Sequence, residues 1–495
     1  MTEVYYRTTP ASAPAPQQPG RQSKRRLGWL LPAALACASG LLAFAPGGPG
    51  TAGALTLGIF AIAIWAWTST KLPDTYVALC ACLALVAVGA LDTQQLFSAL
   101  ADDTIWLLLG AFLLAGGISA SGLADYLGFK VISRARTVRQ LFYLVTFALC
   151  ATAFAIPATS GRAALALPIF TVLAGIFASQ RAVVVGLSLL IPSVVLLSAV
   201  ATLIGAGAHL ITNQLLAAAG LEPISFLYWI VLGTPLALVS ALAACEMILR
   251  MQVPREQRGS LDAETRSQLE VQRDNTLSPA MLRALVVLLV VISGWASSPA
   301  TGIDPVLIAL VGAAVMNFPG FTGAGIGASI KKTPLNILLF LAFTLALGTA
   351  LNNTGAAGWL ASVIFAPLGW LGAGGSLATV VVLTVLSLAA HLVIQSRSAR
   401  SAVLIPLIIP LAMSQGLNPV ASAFLSTAAA GFCHTLTSSA KPVALFSDIP
   451  DSPSFSPAEL RSFATRFAPV MFALLMLFSW LIWPALGLNI LSPTP

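Results

Sequence analysis

Apolar runs of about twenty residues, parted by short polar breaks, recur along this chain from Leu27 almost to the C-terminus. A helix needs about 20 mostly apolar residues to cross a hydrocarbon core of about 30 Å. The pattern predicts spans near 28–46, 52–70, 73–91, 104–121, 225–249, 280–298, 303–319, 334–351 and 466–489. Two further spans, 183–218 and 419–447, are each interrupted near the middle by small and polar residues. Segments 140–177 and 376–414 have the wrong length for a single crossing and carry Arg near their centres. Each reads as a re-entrant helical hairpin, because irregular backbone at membrane depth is tolerated only inside protein or beside a cavity. The expected fold class is therefore an all-α polytopic membrane protein with about eleven transmembrane helices and two re-entrant hairpins.

Composition strengthens this reading: 58% of the 495 residues are hydrophobic and 8% are charged, against about 25% charged in a soluble domain. Residues 1–27, ending in "RQSKRR", read as a disordered cytoplasmic tail. The polar stretch 253–279 reads as a cytoplasmic linker between a first half, 28–252, and a second, 280–495. With the N-terminus inside, Lys71, Lys130–Arg139, Arg181, Arg250–Arg283, Lys331, Lys332, Arg461 and Arg466 all fall on the cytoplasmic side. The outer loops carry only Asp92, Asp102, Asp103, Glu222 and Asp304. This is the positive-inside bias of a multi-pass protein, here expected in the inner membrane, and it accounts for the +8 net charge without a nucleic-acid partner. The six cysteines show no metal-type spacing with histidine and read as small apolar fillers. No cofactor is indicated.

The charge that remains at depth is patterned. "ATSGRAALALPIF" (Ala158–Phe170) and "SRSARSAVLIPLI" (Ser396–Ile408) each place an Arg six residues before a Pro, Arg162 with Pro168 and Arg400 with Pro406. Each has a Ser two residues before the Arg, Ser160 and Ser398, and a small residue between, Gly161 and Ala399. Each copy precedes one of the interrupted spans, broken at "TLIGAGAHL" (Thr202–Leu210) and "HTLTSSAKP" (His434–Pro442). Matched broken segments in two halves are the mark of an inverted-repeat transporter whose site lies at the breaks. Half-helix N-termini offer free N–H groups to an anion. Hydroxyls of Thr159, Ser160, Ser396 and Ser398 add neutral donors. A guanidinium adds a planar fork matched to carboxylate, sulfonate or phosphate. Gly205 and His209 in the first break, and Thr437, Ser438, Ser439 and Lys441 in the second, complete the candidate substrate-binding set with Arg397.

Arg at the membrane centre costs about 2.5–3.5 kcal/mol on insertion scales, so function is the default reading. The plainer alternative is that Arg162 and Arg400 bind backbone carbonyls and pin the hairpin tips. Arg397 has Thr159 at its matching place and divides between site and packing. No Asp or Glu lies in either hairpin or break. A cation carrier keeps a carboxylate at depth, so the positive charge points to an anionic substrate. The three histidines, His209, His391 and His434, lie in the same segments, where hydrogen-bonded structural roles compete with ligand or proton roles.

In these motifs the chain resembles the divalent anion:sodium symporter family, the dicarboxylate, citrate and sulfate carriers of the ion transporter superfamily. That family carries Ser-Asn-Thr at each hairpin tip before an Ala-rich run and a Pro, and "ATSGRAALALPI" and "SRSARSAVLIPL" hold those places. "GAGAH" and "SSAKP" stand where the family's broken helices carry a Gly/Ser-Thr-Pro-Pro-Asn-like stretch, and "DDTIWLLLGAFLLAGGISASGL" resembles its span before the first hairpin. The resemblance implies a homodimer, a scaffold and a mobile transport domain, elevator-type alternating access, and a small divalent anion held between Ala158-Thr159-Ser160 and Ser396-Arg397-Ser398. It also implies two sodium sites at these segments. Here, however, Thr159 and Arg397 replace the motif asparagines, and His209 stands for the Asn of the first break. Lost amide oxygens and a cation at each tip argue against sodium coupling, leaving exchange, proton coupling or facilitated diffusion. Two other functions remain open at this point. A cation:proton antiporter of the same superfamily needs an intramembrane acid. An intramembrane serine protease built on Ser160 and His209 or His434 needs no second copy of the motif.

Overall fold

The computed structural model describes residues 21–45, 47–70, 72–271, 276–365, 375–449 and 451–491. Every regular element among them is helical. The first half runs α1 (Arg21–Leu42), α2 (Gly50–Ser69), α3 (Asp74–Ala87), α4 (Thr93–Ser98), α5 (Asp103–Ser121), α6 (Leu123–Ile132), α7 (Val138–Thr152), α8 (Thr159–Ile176), α9 (Arg181–Leu197), α10 (Gly207–Ala218) and α11 (Phe226–Gln252). The second runs α12 (Ala263–Val271), α13 (Pro279–Thr301), α14 (Pro305–Met316), α15 (Ile326–Lys332), α16 (Leu335–Asn353), α17 (Ala356–Phe365), α18 (Gly375–Ala389), α19 (Arg397–Ser414), α20 (Pro419–Ala429), α21 (Lys441–Ser447) and α22 (Pro457–Leu477).

Nine helical stretches among the described residues are long and apolar enough to cross a membrane. Two of the nine, Thr159–Ile176 and Arg397–Ser414, are the second helices of the two segments expected to be hairpins. Expected crossings at 73–91 and 303–319 are helices of only 14 and 12 residues. Of the expected tail, 1–20 lie outside the described residues, and Arg21–Leu27 are already part of α1.

The expected hairpins are helix pairs. The arms α7 and α8 flank 153–158, and α18 and α19 flank 390–396. At 1.5 Å per residue the 15-residue arm α7 reaches about 22 Å, short of a full crossing. The interrupted spans break where small residues cluster. Both first segments lie at the centre: every residue of Arg181–Ala201 that forms the most apolar window is buried, as is every residue of α20. A helix apolar all round belongs in a core, and these two are the paired axes of the molecule. Each return arm packs on the short second segment of the other half, α8 on α21 and α19 on α10. A 2.6 Å hydrogen bond between Thr212 and Thr427 joins α10 to α20.

The linker is more ordered than its polarity suggests. A 3-10 turn covers Arg255–Arg258, Ser260 forms a bridge with Thr137, and Leu261 N donates to Arg136 O. This strap holds the entrance of the first hairpin. Close by, the Glu246 carboxylate on α11 accepts from Arg139, Tyr143 and Arg250. Residues 272–275 lie outside the described residues.

Candidate functional site

The two breaks adopt the same backbone. Thr202 (φ −136, ψ 153) and Ala206 (φ −155, ψ 148) bracket a 3-10 turn at Leu203–Gly205. Leu436 (φ −120, ψ 144) and Ala440 (φ −156, ψ 143) bracket the same turn at Thr437–Ser439. This correspondence pairs Gly207 with Lys441 at the first position of the following helix, and Gly205 with Ser439. "GAGAH" and "SSAKP" are therefore offset by one residue from their written alignment. His209 matches Val443.

The tips and breaks converge across the halves. Ala158 N of the first tip donates to Ile204 O of the first break at 3.2 Å, and Thr202 Oγ1 donates to Ala153 O at 2.9 Å. A Cβ placed on Gly207 would lie 3.0 Å from Ser398 Oγ of the second tip, a tight approach that the glycine leaves open. Arg397 Nη1 donates to Leu196 O at 3.4 Å, and a Cβ on Gly431 would lie 3.6 Å from the same carbonyl oxygen. The first break is buried from Thr202 to Ala206, whereas Ser438 and Lys441 in the second are exposed. Thr159, Ser160, Gly161, Ser396 and Ser398 are half-buried at the starts of α8 and α19. Ser396 is the N-cap of α19, its hydroxyl accepting from Ala399 N.

Ala158, at the equivalent place before α8, cannot cap by side chain and sits at φ 62, ψ 136. That conformation costs a non-glycine residue about 1–3 kcal/mol. Ala158→Gly is expected to raise the thermal midpoint, since the strain released exceeds the about 0.5–1 kcal/mol of extra backbone entropy that Gly loses. A lower midpoint in a melting curve would show that the strain is not borne there.

The three deep arginines differ in what they touch. Arg162 is 1% exposed and engages four acceptors. Nε donates to Thr152 Oγ1 (2.9 Å), Nη1 to Val195 O (3.1 Å), and Nη2 to Leu149 O and Ser198 Oγ (both 2.7 Å). Leu149 and Val195 stand in the last turns of α7 and α9, where helix carbonyls lack intrahelical backbone donors, and Leu149 O also accepts from Thr152 Oγ1. The guanidinium thus caps two helix C-termini, whose partial negative charge suits a cation. Arg400 is fully buried, and Nε, Nη1 and Nη2 all lack a hydrogen-bond partner among the described residues. It faces the Cys433 thiol. Arg397 lies within electrostatic reach of Arg162, Arg400, His209 and His434. Its Nε is likewise enclosed without a partner. Both ion pairs among the described residues lie on Glu246, with Arg139 and Arg250, so none of the three deep arginines forms an ion pair among them.

The sequence pattern expected Arg162 and Arg400 to face one pocket as equivalents. The geometry makes Arg162 a fully hydrogen-bonded brace, leaves Arg400 without a hydrogen-bond partner among the described residues, and brings the unmatched Arg397 into reach of both. The reason lies in the helix ends. Past α18 the chain continues as a 3-10 turn, Ala390–Leu392, in which the Ala390 carbonyl accepts from Val393 and Ile394, and His391 Nδ1 pairs with Leu388 O. Carbonyls like those that hold Arg162 are thereby occupied. The histidines are engaged locally. His209 Nδ1 pairs with Thr202 O at 2.9 Å and its ring stacks on Trp229, and His391 Nε2 pairs with Thr435 Oγ1 at 2.8 Å. His434 Nδ1 accepts from Cys433 N at 3.3 Å. Among the described residues no group of three His, Cys, Asp or Glu side chains could hold a metal ion.

A family model described as the sodium:sulfate symporter transmembrane region matches residues 25–487. A relative from Cupriavidus necator, described only as a membrane protein, is 23% identical over 488 residues, covering 94% of each chain. Among solved structures, the YdaH transporter of Alcanivorax borkumensis superposes with a TM-score of 0.52 at 18% identity, covering 85% of this chain and 100% of that one. MtrF of Neisseria gonorrhoeae, described as illuminating a class of antimetabolite efflux pumps, superposes with a TM-score of 0.53 at 15% identity, covering 76% and 81%. At these identities the two structures are similar in fold.

Proposed function

Because the chain belongs to the sodium:sulfate symporter family and is a multi-pass membrane transporter, we propose that it carries a small divalent anion by elevator-type alternating access, with guanidinium charge standing in for bound sodium. The observation that carries this reading is the cluster of buried Arg162 and Arg400 with half-buried Arg397, which forms no ion pair among the described residues and in which no Arg400 nitrogen has a hydrogen-bond partner among them. Leaving a buried charge uncompensated costs several kcal/mol, and an oxyanion is the ligand that removes that cost. In this proposal Arg397 and Arg400 bind the anion, and hydroxyls of Thr159, Ser160, Ser396, Ser398, Thr437, Ser438 and Ser439 donate around it. Gly161 and Gly205 allow close backbone approach, His209 lines the inner wall, and Lys441 draws anions in from the exposed break. Arg162 holds the first tip to the first break so that these groups face one another. Dicarboxylate, sulfate and sulfonate all satisfy this chemistry.

The halves 28–252 and 280–495, joined through 253–279, form the inverted repeat in this reading, supported by the exchanged packing of α8 with α21 and α19 with α10. The protein is proposed to work as a homodimer in the inner membrane with a cytoplasmic N-terminus. A cation:proton antiporter finds no support in a site whose fixed charge is positive. The test is uptake of radiolabelled sulfate, succinate and a small sulfonate into proteoliposomes, with sodium or with choline as the external cation. Uptake of one of them at the same rate in both media is expected. Uptake that vanishes without sodium would overturn the substitution of guanidinium for sodium.

A further inference from the structure

A cavity of about 190 Å³ opens between α6 and both arms of the first hairpin. Its wall is almost wholly apolar, with Leu127 and Val131 from α6, Val145 and Ala148 from α7, and Ile169 from α8 among the lining residues. One acidic group breaks that lining: Asp125, in the first turn of α6, whose Oδ1 is enclosed and has no hydrogen-bond partner among the described residues. Loss of water around it pushes the carboxyl above the ordinary carboxylate range. Arg162 borders the same cavity, but its guanidinium is committed to Leu149, Thr152, Val195 and Ser198 and does not turn to Asp125.

We propose that this cavity is a binding site for a small amphiphilic amine, with the ammonium at Asp125 and a single aromatic or short aliphatic group among the apolar residues. Size and charge both select this class. An engineered apolar cavity of about 150 Å³ accepts benzene, so this one takes one ring and a short amine arm but not a lipid acyl chain. An unpaired carboxylate oxygen in an apolar wall is costly until a cation reaches it. The positive charge of Arg162 directs the ammonium to the Asp125 end. Leu149 and Thr152 both line the cavity and accept from Arg162. A bound amine therefore stiffens the support of the first hairpin tip and slows transport from a site that is not the anion site. Binding here is independent of whether the carried solute is a divalent anion.

The experiment uses the whole protein in nanodiscs of phosphatidylglycerol. 2-Phenylethylamine, ethylbenzene and 3-phenylpropionate are titrated, and melting midpoints give apparent affinities. The amine is expected to raise the midpoint most and the acid not at all. Asp125→Asn should weaken the amine at least tenfold and leave ethylbenzene unchanged, and Ala148→Leu, which fills the cavity, should weaken both. Equal binding of amine and ethylbenzene, or an unchanged amine affinity in Asp125→Asn, overturns the proposal. So does loss of the amine effect when phosphatidylethanolamine is included, which would identify the occupant as lipid. If Asp125→Asn fails to insert, the comparison of the three probes on wild type and Ala148→Leu still decides.

Discussion

Arg400→Gln is expected to weaken anion binding at least 100-fold while leaving the ligand-free protein as stable as wild type or more so. Most substitutions at a fully buried arginine destabilise, because they strand the group that was paired with it. Here the only neighbour of that kind among the described residues is the Cys433 thiol, a weak partner that meets no hydrogen-bond geometry with any of the three guanidinium nitrogens. Replacing the side chain by a neutral amide removes an uncompensated charge and strands nothing. With the anion bound the balance reverses. Hydrogen bonds to charged groups contribute about 1.5–3 kcal/mol each. A bidentate pair therefore supplies about 3 kcal/mol or more, and each 1.4 kcal/mol is tenfold in affinity. Melting curves with and without a saturating anion read both effects in one experiment. A midpoint that falls sharply without anion, or an anion-induced shift that survives the substitution, would show that Arg400 has an internal partner and is not the open half of the site.

The parts of this molecule that were legible in the sequence are those fixed by burial against a membrane. A hairpin is visible because it sets Arg and Ser in the middle of an apolar run of the wrong length, and a broken helix because small residues interrupt one. Observed boundaries of α7, α8, α18 and α19 lie within a few residues of 140–177 and 376–414. The short helices α6, α12 and α15 were not anticipated. They are too short or too polar for the span pattern, and contacts with neighbours hold them, as Leu269 of α12, 1% exposed, illustrates. The register of the second break escaped for another reason. The 3-10 turn is defined by the extended residues on either side of it, and Leu436 and Ala440 carry no sequence mark of that conformation. The different fates of Arg162 and Arg400 were hidden most deeply. They depend on backbone carbonyls at helix ends, which are the same in every residue type, and on Thr152 and Ser198, which stand 10 and 36 residues from Arg162.

Arg162→Gln carries the opposite expectation. The substitution takes the guanidinium donor from Val195 O at the end of α9, while Leu149 O keeps the Thr152 hydroxyl and Ser198 keeps Val194 O. A buried acceptor left unmade costs about 1–3 kcal/mol, so a loss of about 1–3 kcal/mol is expected from Val195 O alone. Arg162→Lys should recover only part of it. An ammonium keeps the charge that suits two helix C-termini, but one nitrogen cannot reach four acceptors arranged around a planar fork. Anion affinity, measured on whatever fraction folds, should fall less in Arg162→Gln than in Arg400→Gln, because Arg162 braces the tip and does not hold the ligand. The measurement is a pair of melting midpoints and a pair of anion dissociation constants for the two variants. If they respond alike in both, the repeated arginines act as equivalents and the asymmetry seen in their hydrogen bonds has no consequence. If they diverge as argued, the inverted repeat has divided its labour: one copy of the motif spends its cation on holding the first hairpin together, which leaves the other copy's cation free for the solute.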